Sequence, residues 1–179
     1  MRLSLLVICV SLSLAPFTLH AQRDAILNDK DVSESTLIDA LTPERQVRTR
    51  SIRITPDGAP AAPAKRPAAS MLITFETGSA VLKPQSKKML DSLGRAMTSD
   101  KLSTYKFAIE GHADPRGGEA ANLELSQRRA EAVVSFLTEN HRIDPGRLRP
   151  VGKGQSELFN LTQVDAPENR RVTVKTLLE

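Results

Sequence analysis

The segment from Lys106 to Leu137 constrains the fold most, because three local patterns follow one another in it without interruption. Alternating apolar residues predict a strand, a glycine-rich loop with Asp114 follows, and apolar residues spaced three and four apart predict a long helix. On a helical projection Leu125 and Phe136 belong to the apolar stripe, and Arg129 falls within it. A guanidinium removed from water needs an anionic partner. Asp114, in the loop that leads into the helix, is the nearest candidate.

Local patterns elsewhere predict the remaining elements. A first strand is expected over 71–76, a helix from Pro84 to about Ser99, a short strand around Arg149, a loop over 152–168 and a closing strand over 171–178. Two helices at similar spacing between strands favour a mixed sheet with both helices on one face.

Three short motifs resemble those of a known family. They are GHAD at 111–114, Asn122 followed by LSQRRA at 125–130, and NRRV at 169–172. Their order and spacing, with FETGSA at 75–80, resemble the OmpA-like C-terminal domain over about residues 70–179. The resemblance implies an α+β two-layer sandwich in the order βαβαββ, with a mixed sheet of about four strands and helices on one face. It also implies non-catalytic binding of peptidoglycan.

The resemblance further implies a binding site. Asp114 is expected to hold the ammonium, and Arg129 the carboxylate, of the zwitterionic end of meso-diaminopimelate in a peptide stem. Arginine suits this role because its planar fork can contact both carboxylate oxygens. Further expected contacts are Asn122, Gly78 and Ser79, with Arg171 at the border of the site. The alternative is that Asp114 and Arg129 form only a buried ion pair.

Several neighbouring residues complete this expectation. Arg170 is expected to brace a loop. Ala113 replaces the threonine that is usual in the family, which removes a hydroxyl and is expected to lower affinity. The sequence GKGQ at 152–155 matches the family's glycine turn only loosely.

The residues before position 71 divide into three segments by composition. Residues 1–21 are typical of a secretory signal peptide, with Arg2, an apolar run and a breaker at Pro16. The apolar run is shorter than the ~20 residues that span a bilayer, so no transmembrane span is expected after cleavage. Cys9, the only cysteine, lies in this run. The mature chain is therefore expected to carry neither a disulfide nor a lipid.

Residues 22–55 are predicted to form a short N-terminal module. Ser33 or Ser35 can cap a helix that ends near Pro43, and four arginines follow between 45 and 53. That basic run is more typical of a solvated segment, and the alternative is an arm that binds an outer-membrane or periplasmic partner. The Pro/Ala-rich residues 56–70 are predicted to be an extended linker, and 71–179 the binding domain.

Composition excludes other functions. The 25 basic and 21 acidic residues give a net charge of +4, too little to indicate a nucleic-acid partner. No nucleophile elbow and no phosphate-binding glycine loop is present, so neither an enzyme nor a cofactor is expected. A metal site at His112, Asp114 and His141 is the disfavoured alternative, associated with hydrolysis. A small periplasmic protein, associated with the wall or the inner face of the outer membrane, is therefore expected.

Overall fold

In the computed structural model of the protein, residues 26–43, 66–76 and 78–178 are described. The predicted signal peptide, the basic run and most of the predicted linker lie outside these ranges. The described elements, in chain order, are β1 Ile26–Leu27, α1 Glu34–Leu41, β2 Ala68–Met71, α2 Pro84–Thr98, β3 Lys106–His112, α3 Glu119–His141, β4 Leu148–Gly154 and β5 Val172–Leu177. Single 3₁₀ turns at Pro145–Arg147 and Pro167–Asn169 precede β4 and β5.

The five described strands form one mixed sheet in the order β1-β2-β5-β3-β4. β5 lies in the middle and pairs antiparallel with both β2 and β3, whereas β3 pairs parallel with β4 and β1 pairs parallel with β2. From β2 onward the order is βαβαββ, so the predicted α+β fold is confirmed. One short strand and one helix are added in front of it.

The core lies between one face of the sheet and the helices. Val174 of β5, Leu93 of α2 and Val133 of α3 belong to one buried apolar cluster. Thr173 and Lys175 alternate with the core positions of β5 and line a polar pocket on the opposite face of the sheet. This alternation is expected of a sheet that packs helices on one side only.

The N-terminal residues 26–43 share this core, although the sequence predicted them to be part of a separate module. The predicted cap is present, since the Ser33 side chain accepts a hydrogen bond from the Thr36 backbone N–H at 3.1 Å. Leu37 and Leu41 of α1 are fully buried in the main cluster. The Thr176 hydroxyl of β5 donates to the Leu41 carbonyl at 2.6 Å. An eight-residue helix cannot bury its leucines by itself, so it packs against the domain.

The first strand of the domain begins earlier than predicted. β2 is Ala68–Met71, where the sequence predicted the end of the linker, and residues 72–74 are not in a strand. Phe75 makes only an isolated bridge with Leu82. Small residues give a weak strand signal, and here pairing with Val172–Lys175 of β5 decides the conformation.

β4 continues to Gly154, through residues that were predicted to be a loop. Gly152 is needed for close packing, because a Cβ at this position would lie 2.8 Å from the backbone N of Gln127 in α3. The Gly152 N–H also donates to the Gln127 side chain at 2.6 Å. Glycine in this strand therefore allows a helix to approach and does not end the strand.

The buried stripe of α3 also differs from the prediction. Its members are Asn122, Ser126, Ala130, Val133 and Leu137, so the first two turns bury polar side chains. The Ser126 hydroxyl accepts from the Gly154 N–H at 2.9 Å, which compensates its burial.

Arg129 lies beside this stripe. It precedes Ala130 by one residue and is therefore about 100° away from it around the helix. Its side chain is partly buried on the flank of α3 and does not point into the core. None of the described helices combines the length and the apolar character that a membrane span requires.

Candidate ligand-binding site

An open pocket of about 450 Å³ lies between the β3–α3 loop, the turn around Gly78, the flank of α3 and the 3₁₀ turn at Pro167. Asp114, Asn122, Arg129 and Gly78 line it, so four of the predicted site residues are brought together. Additional lining residues, which the sequence interpretation did not place in the site, are Phe75, Glu76, Lys83, Leu125, Arg116 and Arg170.

Asp114 supplies the buried carboxylate of the pocket, and its side chain is only 7 % exposed. Its Oδ2 accepts from Arg116 Nη2 at 2.7 Å, from Arg116 Nε at 3.1 Å and from Arg170 Nη1 at 2.7 Å. Burial raises the pKa of the Asp114 carboxyl, but the hydrogen bonds from Arg116 and Arg170 outweigh this effect and hold the pKa below its usual value. Asp114 is therefore ionised at neutral pH.

Arg129 does not pair with Asp114, the candidate partner that the sequence offered. Its Nε donates to the Ser79 carbonyl at 3.1 Å, and its guanidinium carbon lies 4.9 Å from the centre of the Phe75 ring. Among the described residues, no carboxylate lies within ion-pair distance of this guanidinium. Burial, and then the positive charge of Arg170, lower the pKa of Arg129, while Asp114 opposes them. Since arginine stays protonated in proteins, Arg129 is a partly desolvated cation facing the pocket.

Of the two arginines of the NRRV motif, Arg170 lines the pocket and Arg171 does not, although the sequence predicted Arg171 at the border of the site. Arg170 lies in the site, where it binds Asp114 and also donates to the Asp165 carbonyl at 3.1 Å. Arg171 lies away from it, on the other face of the sheet. There it donates to the Glu157 carbonyl at 3.2 and 3.3 Å and contacts the Phe159 ring. Neighbouring residues at the start of a strand point to opposite faces, and which face each one takes depends on the register of β5.

Asn122 and Ser79 hold the walls of the pocket. The Asn122 amide lies within 3.0 to 3.2 Å of the Asp114 carbonyl, the Arg116 carbonyl and the Gln155 side chain, so it fixes the β3–α3 loop. Gly78 has a φ of 65°, a conformation that favours glycine, and it shapes the turn that brings the Ser79 carbonyl to Arg129. Ala113 is buried, and its N–H donates to the Gly154 carbonyl at 2.8 Å. Its predicted effect on affinity stays a prediction.

Arg116 is one of the site residues that sequence reasoning missed. It follows Asp114 by two residues, in a loop with glycines at 117 and 118. A basic residue this close to a loop carboxylate was a usable signal, because a short loop can fold a side chain back onto its own chain.

The structure does not bring the three candidate metal ligands together. His141 binds Asp91 of α2 at 2.9 Å, and His112 lies on the opposite face of the sheet from Asp114. In the described part of the chain, one other group has ligand atoms close enough for a metal ion: Glu110, His112 and Glu157, within 4.8 Å of one another.

The two carboxylates of that group already form ion pairs with lysine side chains. Lys175 lies 2.6 Å from the Glu110 carboxylate, and Lys153 lies 2.7 Å from the Glu157 carboxylate. Arg171 lines the same pocket. Three positive side chains therefore surround the cluster and disfavour a metal ion there.

Similar proteins support the same fold. "Outer membrane protein A" of Bordetella avium is 34 % identical over 103 residues, covering 56 % of this chain and 52 % of the relative. "Peptidoglycan-associated lipoprotein" of Pseudomonas aeruginosa is 32 % identical over 108 residues, covering 56 % and 59 %. The crystal structure of the peptidoglycan-associated lipoprotein from Burkholderia pseudomallei matches with a TM-score of 0.50 and 25 % identity, covering 64 % of this chain and 92 % of that one. The chain spans about half the length of the two curated relatives named first.

Fold and pocket together define an α+β domain whose open pocket holds a buried carboxylate and a guanidinium with no carboxylate partner among the described residues. A model of the OmpA family matches residues 74–171, which is more than half of the chain. The chain therefore belongs to the OmpA family.

Proposed function

We propose that this protein binds peptidoglycan without catalysis, through the zwitterionic end of meso-diaminopimelate in a stem peptide. The observation that carries this proposal is Arg129. A guanidinium that has lost part of its hydration, with no carboxylate at ion-pair distance among the described residues, is suited to receive one from a ligand.

The pocket supplies a complementary group for each end of such a ligand. Asp114 is ionised and accepts the ammonium, and Arg129 donates to the carboxylate. The Ser79 carbonyl fixes the Arg129 side chain before the ligand arrives, which lowers the entropy cost of binding. A volume of about 450 Å³ is ample for one amino-acid end group.

The geometry argues against the alternative role of Asp114 and Arg129. A purely structural ion pair requires the two side chains to contact each other, and they do not. Asp114 is instead neutralised by Arg116 and Arg170. The loop and the helix are tied together by Asn122, so Arg129 is not needed for that purpose.

The relatives support a location in the cell envelope. Two of them are named for association with peptidoglycan and one for the outer membrane. We infer that this chain links the wall to an envelope partner from the periplasm, through residues 22–55.

Co-sedimentation with purified sacculi tests the proposal. The full chain should bind sacculi with diaminopimelate stems and bind lysine-type sacculi much less. Without the ligand carboxylate, Arg129 is left unpaired, at a cost of roughly 2 kcal/mol or about thirtyfold in affinity. Free meso-diaminopimelate should compete, and a chelator should have no effect.

Matched variants locate the site. Asp114→Asn and Arg129→Gln should each remove most of the binding, and the double variant should add little, because both residues hold the same ligand. Arg128→Gln changes the adjacent, exposed arginine and should bind like the unmodified protein. Equal binding to both types of sacculi, or full binding by Arg129→Gln, would refute the proposal. A melting temperature measured for each variant separates loss of binding from loss of fold.

A further inference from the structure

Oδ2 of Asp114 is fully occupied before any ligand arrives. Three guanidinium N–H groups converge on it, two from Arg116 and one from Arg170, and Oδ1 accepts the backbone N–H of Arg116 at 3.2 Å. An incoming ammonium therefore has to displace one of the guanidinium donors to reach Oδ2.

The two arginines differ in how firmly they are held. Arg170 also donates to the Asp165 carbonyl, and it sits between two buried residues, Asn169 and Arg171. The Asn169 side-chain amide makes several bonds to the backbone of the 160–164 loop, which fixes that region. Arg170 is thus kept near Asp114 by contacts that do not depend on Asp114.

Arg116 lacks such support. Its side chain is 62 % exposed, and all of the described hydrogen bonds of its guanidinium go to Asp114. Gly117, with a φ of 99°, and Gly118 follow it, so the next two residues have no side chains to pack against Arg116. Its guanidinium can leave Asp114 without breaking another described contact.

We propose that Arg116 occupies the ammonium subsite of the pocket until a zwitterionic ligand displaces it. This inference rests on the proposed function. A ligand with only an amine exchanges one cation for another on Asp114 and gains little. A zwitterion also brings a carboxylate to Arg129, and that additional contact offsets the displacement of Arg116. The cost of displacing Arg116 is the same for both ligands, so Arg116 lowers the affinity of the site and only the ligand with the second contact binds well.

Arg116→Gln tests this, because it removes the charge and keeps a polar side chain. Binding of meso-diaminopimelate and of cadaverine, a diamine without a carboxylate, is measured by calorimetry on the full chain, with Arg128→Gln as the charge-matched control. Since an exposed ion pair is weak, Arg116→Gln should tighten diaminopimelate binding by about two- to fivefold. It should tighten cadaverine binding by a similar factor, because both ligands displace Arg116 from Asp114. Arg128→Gln should leave both affinities unchanged.

The outcomes separate the two proposals. If the unmodified protein binds diaminopimelate but Arg116→Gln binds it no better than Arg128→Gln does, the role of Arg116 is refuted and the proposed function stands. Weaker binding by Arg116→Gln also refutes the proposal that Arg116 occupies the ammonium subsite, and shows instead that Arg116 contacts the ligand. If the unmodified protein binds neither diaminopimelate nor diaminopimelate-type sacculi, the proposed function itself is refuted.

Discussion

Substituting Leu37 by alanine tests whether the N-terminal helix is part of the folded domain. The Leu37 side chain is 0 % exposed and belongs to the main apolar cluster, although it lies well before residue 74, where the family match begins. If α1 packed only transiently, the substitution would cost almost nothing. If α1 completes the core, the substitution leaves a cavity.

The structure sets the expected size of the effect. Substituting a fully buried leucine by alanine costs about 2 to 5 kcal/mol, and the value depends on how far the surroundings relax. Because α1 lies at the end of the sheet that carries β1 and β2, its surroundings can relax, and we expect about 3 kcal/mol. A loss of this size lowers the melting temperature of a domain of this length by roughly 10 °C.

Urea unfolding of the full chain, followed by circular dichroism, measures this loss. Leu161→Ala is the matched control, because Leu161 is 65 % exposed and its truncation should change the free energy of unfolding by no more than about 0.5 kcal/mol. Equal free energies of unfolding for Leu37→Ala and Leu161→Ala would show that α1 does not share the core.

Two further predictions concern a partly buried arginine and a buried histidine. Arg147→Met should destabilise the fold by about 1 to 3 kcal/mol, because the Arg147 guanidinium donates to the carbonyls of Tyr105, Met97 and Leu102. Urea unfolding measures the loss, with Arg149→Met at an exposed position as the control. Equal stability of the two variants would contradict a stabilising role for these hydrogen bonds. Burial, followed by the charge of Arg171, lowers the pKa of His112 from 6.5 to about 3, so the unfolded chain binds a proton in this range that the folded chain does not. The stability due to a neutral His112 is therefore complete above pH 6.5 and is lost as the pH falls towards 3, by at most about 1.4 kcal/mol per pH unit. His112→Gln should reduce the slope of the unfolding free energy against pH in this range. An unchanged slope would contradict this prediction.

Periodicity predicted the strongly amphipathic elements well. The helix predicted from Pro84 to about Ser99 is Pro84–Thr98, and the alternation of Phe107 and Ile109 places both side chains in the core. Elements with weak local signals were predicted less well. β2 consists of small residues, and β4 includes the glycines that were interpreted as a loop, because their conformations depend on β5 and on α3.

For the site, the sequence likewise predicted some features and not others. Asp114, Asn122 and Arg129 were identified from motifs, and all three line one pocket. The partners of Asp114 were not predicted, because it binds Arg116 and Arg170 and not Arg129, and Arg170 lines the pocket where Arg171 was expected at its border. Side-chain partners at a loop depend on where the loop lies against the next strand, and a one-residue shift in register moves a side chain to the other face.

The sequence by itself determined the order of the elements of the domain, the helix cap at Ser33 and the family motifs, because each depends on residues that are close together in the chain. Only the tertiary structure decided that α1 completes the core and that Arg129 has no carboxylate partner among the described residues. Leu37 needs a surface to pack against, and that surface is formed by residues far away in the chain. Several arginines lie near the Asp114 carboxylate in the folded chain. Arg116 and Arg170 are close enough to bind it, and Arg129 faces the pocket instead.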